Sequence, residues 1–100
     1  MMQQSTGFKL GKVFGLIVKR LNERGYRYRF DNVLYGIRHR TDFFMSEIRG
    51  KFRFIGASDS KTESEIEIIL SDISKIPEKL NSDEYCYFWF GYYSNFKSEG

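Results

Sequence analysis

Glu84-Tyr-Cys-Tyr-Phe-Trp-Phe-Gly-Tyr-Tyr93 places seven aromatic residues in ten positions, and the period assigned to it decides the fold. Read as a strand, its residues alternate between two faces. Glu84, Cys86, Phe88, Phe90 and Tyr92 form one set, and Tyr85, Tyr87, Trp89, Gly91 and Tyr93 form the other. Cys86, Phe88 and Phe90 in the first set carry no strong polar group and belong in a core, where burying each phenylalanine contributes about 1.5 to 3 kcal/mol. The second set bears hydroxyls and an indole N–H that want partners, which suits a face half covered and half wet. The strand reading therefore predicts a sheet with one dry surface and one open surface.

The rest of the chain is read outward from this sheet. Leu10, Val13, Phe14, Ile17 and Leu21 recur at helical spacing, which predicts an amphipathic helix from about Gly7 to Arg24. Ser5 or Thr6 can cap its start and Gly25 its end. Gly11 and Gly15 weaken it intrinsically, so it should depend on packing. After Gly25 the period becomes two, with Tyr26, Tyr28 and Phe30 alternating with Arg27 and Arg29, the pattern of a half-buried strand. Three more strands are expected at Val33–Arg40, Phe43–Ile48 and Lys51–Ile55, although Thr41 also has the chemistry to cap a helical turn. Thr62 and Glu65 have the spacing of a capping box, and Ile66, Ile69, Leu70, Ile73 and Ile76 keep a helical phase. They predict a second helix from about Thr62 to Ile76; the competing reading is a strand over 64–70, where Glu65-Ile-Glu-Ile also alternates. The expected fold is α+β, a two-layer sandwich: an antiparallel sheet of four to five strands with two helices on one face, in the order α-β-β-β-β-α-β.

One hundred residues form one domain, 1–100, large enough to bury about two-thirds of the surface of its unfolded chain. Residues 1–6 are expected to be disordered and 94–100 to form a tail. Cys86 is the only cysteine, which precludes an internal disulfide and fits a reducing, cytoplasmic setting. No apolar run reaches the roughly 18 to 20 residues of a membrane span, so no membrane contact is expected. Residues 1–22 carry Lys9, Lys12, Lys19 and Arg20 with no acid, a composition shared with transit peptides, but their apolar stripe favours a helix of the domain.

The net charge of +3 divides unevenly, with twelve cations and four acids over residues 1–53 and four cations and nine acids over 54–100. Either the halves pair with each other or the first presents a basic face to an anionic partner. The outward rows of the expected sheet would bring Arg27, Arg29, Arg38, Arg40 and Arg53 onto the face of Tyr85, Tyr87, Trp89 and Tyr93. Arginine with tyrosine and tryptophan is the composition of a protein-binding patch. The structural alternative is that these arginines lie over the rings as cation–π pairs on a solvated face. His39 is the only histidine, and no zinc spacing, phosphate-binding glycine loop or dinucleotide fingerprint occurs. No catalytic residue, metal or cofactor is expected.

Residues 8–76 run in an order similar to double-stranded-RNA-binding domains. Gly36, His39 and Phe43 match that family's glycine–histidine–phenylalanine spacing, and Ser60-Lys61 falls where its second helix begins. The resemblance implies RNA binding, although Thr62, Glu63, Ser64 and Glu65 follow where the family carries phosphate-gripping lysines. The leading expectation is a non-enzymatic protein-binding module, of inhibitor, immunity or adaptor type, facing an acidic protein surface. RNA binding is the alternative, and homodimerisation through the same face is a variant.

Overall fold

The computed structural model describes residues 5–27, 33–56 and 58–96. Its order is α1 (Thr6–Glu23), α2 (Leu34–His39), α3 (Thr41–Phe54), α4 (Ser60–Leu70) and α5 (Ser82–Ser94). No strand occurs among the described residues, and the expected α+β sandwich is replaced by a helical fold.

α1 forms where its apolar stripe predicts. The Ser5 hydroxyl accepts from the Phe8 N–H at 3.1 Å, satisfying one of the donors a helix start leaves open. At the far end Gly25 takes φ +87°. The Gly25 and Tyr26 N–H groups then donate back to the Asn22 and Leu21 carbonyls at 3.0 and 2.9 Å, closing the helix with a left-handed cap. Leu10, Val13, Phe14, Ile17, Val18 and Leu21 supply the centre of the core.

The regions expected as Val33–Arg40, Phe43–Ile48 and Lys51–Ile55 strands are helices α2 and α3. Thr41, Phe44, Met45, Ile48 and Phe52 recur one or two turns apart and are buried together, so a helix hides in one stripe what a strand pairing would have split between faces. Thr41 is the pivot between α2 and α3. Its hydroxyl donates to the Ile37 carbonyl at 2.7 Å, and its N–H donates to the Glu78 carbonyl at 2.8 Å. The Leu80 N–H donates to the Arg38 carbonyl at 2.8 Å, so the irregular segment before α5 is laced across the α2–α3 corner, with Leu80 buried beneath it. Of the first expected strand, Tyr26 and Arg27 are irregular, and Tyr28, Arg29 and Phe30 lie outside the described residues.

The second expected helix is present but begins earlier and ends earlier. Asp59 caps α4, accepting from the Thr62 N–H at 2.7 Å. After Leu70 the chain leaves the helix, and Ile73 and Ile76 reach the core from irregular backbone. The double-stranded-RNA-binding resemblance loses its structural basis, because α2 and α3 occupy the positions its strands require.

α1 and α5 make the closest contact of the fold. They run parallel, with Gly7 against Glu84, Gly11 against Phe88 and Gly15 against Tyr92. A Cβ placed on any of these glycines would fall inside 3.0 Å of the facing carbonyl oxygen, and one on Gly91 would meet the Phe8 carbonyl in the same way. The two backbones therefore touch through positions without side chains. The stripe that makes α1 a poor isolated helix is what lets α5 dock.

Candidate functional site: the α5 face and the α2–α3 corner

α5 is a helix because its start is well specified. The Asn81 side chain accepts from the Glu84 N–H at 2.8 Å, and Asp83 and Glu84 place negative charge in the first turn, where the helix dipole favours it. Glu84 acts on a second helix as well, its carboxylate accepting from the Gly7 N–H at 2.8 Å at the start of α1. At the other end the Asn95 amide donates to the Lys12 carbonyl at 3.0 Å. These two polar contacts fix the register of the glycine-lined interface.

A helix advances about 100° per residue, and this rearranges the aromatic run. Phe88 and Tyr92 are buried, while Tyr85 and Trp89 sit at the edge, half-buried against the core. Cys86 and Phe90, assigned to the core by strand parity, are exposed instead. The outer face carries Tyr87, Phe90 and Tyr93, which are 44%, 63% and 62% exposed. Tyr87 and Phe90 lie with ring centroids 6.3 Å apart. Burial pushes the Tyr92 hydroxyl up to about 12, as expected for a phenol whose charged form would lack water.

Several of the sequence-predicted residues do come together. Trp89 meets Tyr85 edge-on at 6.2 Å and Tyr93 at 6.2 Å. The Arg38 guanidinium stands over the Tyr85 ring at 5.5 Å and donates to the Ser82 hydroxyl at 3.1 Å. Arg38, Tyr85, Trp89 and Tyr93 thus form one strip along α5. Around the corner, Arg40 covers Phe43 at 4.9 Å, and His39 stacks on Tyr35 at 4.5 Å. Arg53 is elsewhere, bound to Glu63 at 2.8 Å across α3 and α4. Arg27 is exposed in the segment after α1, and Arg29 lies outside the described residues.

The charge asymmetry is partly consumed internally. Lys9 pairs with Asp72, Arg20 with Asp59, and Arg49 with both Glu63 and Glu67, so cations of the first half meet acids of the second. Glu63 is the hub. Arg53 above all, with Ser58 and Arg49, holds its carboxyl down to about 2, against the opposing effect of burial. Asp59 is also lowered, chiefly by the Thr62 N–H. Arg38 and Arg40 are in no ion pair among the described residues, and both guanidiniums rest on aromatic rings.

Sequence reasoning missed Phe90 as a surface residue. The signal was available in Asn81 and Glu84, which have capping-box spacing, and in the helical recurrence of Phe88, Gly91, Tyr92 and Asn95. Among the described residues, no three His, Cys, Asp or Glu side chains are placed to hold a metal ion, and no helix is long and apolar enough to cross a membrane. Comparison with protein-family models, with curated proteins and with solved structures finds no match.

Proposed function

We propose that the chain is a non-enzymatic protein-binding module of inhibitor, immunity or adaptor type. Its contact surface is the outer face of α5 with the arginine-bearing corner beside it. The observation that carries this reading is the alignment of Tyr87, Phe90 and Tyr93 on one exposed helix face. Large rings in contiguous exposure mark interaction surfaces more often than inert ones. Arg38, in no ion pair among the described residues, adds positive charge beside this face from over Tyr85, and Arg40 adds more at the α2–α3 corner. Beyond the corner, the described cations outside ion pairs, among them Lys12, Lys19, Arg24 and Lys79, outnumber the acids outside ion pairs. A partner offering an apolar groove rimmed with carboxylates fits both features.

The test is a titration of a purified candidate partner against the wild type, Phe90→Ser/Tyr93→Ser and Arg38→Ser. Affinity should fall at least tenfold for the double variant and less for Arg38→Ser, with unchanged helicity in both. Equal affinity for all three would move the contact off this face. A random nucleic-acid pool run in parallel separates the alternative class. Tight binding to that pool, with log affinity falling steeply against log salt, would refute the protein reading.

A further inference from the structure

α3 has a second stripe that the fold leaves unused. Phe43, Glu47, Gly50 and Phe54 follow one another at helical spacing, opposite the buried line of Phe44, Met45, Ile48 and Phe52. Phe54 is 90% exposed and Phe43 is 54% exposed. The two rings stand three turns apart, about 16 Å along the axis. Between them lie Glu47 and Lys51, both exposed and in no ion pair among the described residues. Gly50 differs from the glycines of α1, since a Cβ there would meet nothing within 4 Å. The α1 glycines are explained by α5; nothing within the described chain explains this one.

The order phenylalanine, glutamate, lysine, phenylalanine complements itself when reversed. An antiparallel copy centred between Glu47 and Gly50 sets Phe43 of one protomer beside the Phe54 position of the other. It also brings each Glu47 near the other protomer's Lys51, twice over by symmetry. A two-fold interface requires this self-complementarity, and Gly50 at its centre lets the helices approach closely. We propose that α3 is the interface of a homodimer in which the outer stripe of one protomer packs antiparallel on that of a second copy. The occupant is a second copy because the acid and the base lie on opposite sides of the centre of one stripe, so that reversing a copy sets each Glu47 one residue from the other protomer's Lys51. A different partner would have no need of that symmetry.

The test uses charge exchange on the full chain, with mass read by sedimentation equilibrium and folding checked by circular dichroism. The wild type should sediment at twice 11.9 kDa in the high-micromolar range. Glu47→Lys and Lys51→Glu should each weaken self-association at least tenfold, because each puts like charges across the two-fold axis. Mixing the two variants should restore the dimer, since a chain with two lysines then faces one with two glutamates. Phe54→Ser should weaken association while sparing helicity, its ring being almost free in the monomer. A wild type that stays monomeric overturns the proposal, as does a mixture that associates no better than its components. Conversely, a dimer indifferent to Phe54→Ser and to both charge changes would use another surface and also refutes it.

Discussion

Gly11→Ala should destabilise the protein, even though alanine is the better helix former. In an exposed helix interior the change stabilises by about 1 kcal/mol. At Gly11 the new methyl carbon would fall inside 3.0 Å of the Phe88 carbonyl oxygen, carbonyl carbon and Cα, which are backbone atoms of another helix and cannot rotate away. α1 and α5 must separate locally by on the order of 1 Å, a gap that forfeits a quarter to a half of each dispersion contact across it. Leu10, Phe14, Phe88 and Tyr92 all pack at this seam, and overpacking a filled interior typically costs about 1 to 3 kcal/mol. Because the overlap falls on rigid backbone, the upper part of that range, about 2 to 3 kcal/mol, applies, and subtracting the propensity gain leaves a net loss of about 1 to 2 kcal/mol. Gly50→Ala is the matched control, since its methyl enters open space; in dilute monomer it should gain up to about 1 kcal/mol. Urea unfolding of the three proteins, with equal slopes, would place their midpoints in the order Gly11→Ala, wild type, Gly50→Ala. A slope near 1 to 1.5 kcal/mol per molar, at the low end of small-protein values, makes the Gly11→Ala shift about 1 M. A midpoint for Gly11→Ala at or above that of the wild type would refute the close parallel packing of α1 on α5.

The remaining predictions concern the core face and the ion-pair hub. Phe88→Ala should cost about 3 to 5 kcal/mol, as for a fully buried ring, whereas Phe90→Ala should stay within about 0.5 kcal/mol of the wild type; equal losses in thermal or urea unfolding would contradict the helical phase of α5. The Glu63 carboxyl is held at about 2 rather than 4.5. A lowered folded-state value means that its contribution is present above pH 4.5 and is lost as pH falls from there toward 2. Because the site is open to solvent on one side, that contribution is about 1 to 2 kcal/mol after screening. Glu63→Gln should remove it at neutral pH and flatten the stability profile between pH 4.5 and 2. Unfolding measured across that range checks the slope, and parallel profiles for the two proteins would show that Glu63 is not the residue responsible.

The helices differ in how far their sequences declare them. α1 was legible throughout, because its stripe, its Ser5 cap and Gly25 all agree, and α4 was legible at its core positions with its start displaced from Thr62 to Asp59. α2, α3 and α5 were misread as strands for one physical reason. Where aromatic and β-branched residues are dense, a period of two and a period near four both find apolar residues at the required positions, so local pattern does not discriminate between them. Gly50 reinforced the error at α3, since a glycine between the expected strands over 43–48 and 51–55 has the chemistry of a turn, although it lies within the helix. Of the candidate site, Tyr85, Trp89, Tyr93 and Arg38 are neighbours as expected, but in a different geometry, while Tyr87 lies beside Phe90 instead. Arg53 was misplaced because its acid, Glu63, comes from an element ten residues further on.

What the amino-acid sequence determined by itself was local. It set the amphipathic phase of α1, the caps, the uneven division of charge and the concentration of rings between residues 84 and 93. The tertiary structure decided which side of those rings is dry. That choice rests on Gly7, Gly11, Gly15 and Gly91, which allow two helix backbones to meet directly and so orient α5 with Phe88 and Tyr92 inward. No residue within 84–93 encodes that contact alone, because its partner surface lies some seventy-seven positions earlier in the chain. Tyr87, Phe90 and Tyr93 face outward as the geometric consequence of where α1 sits.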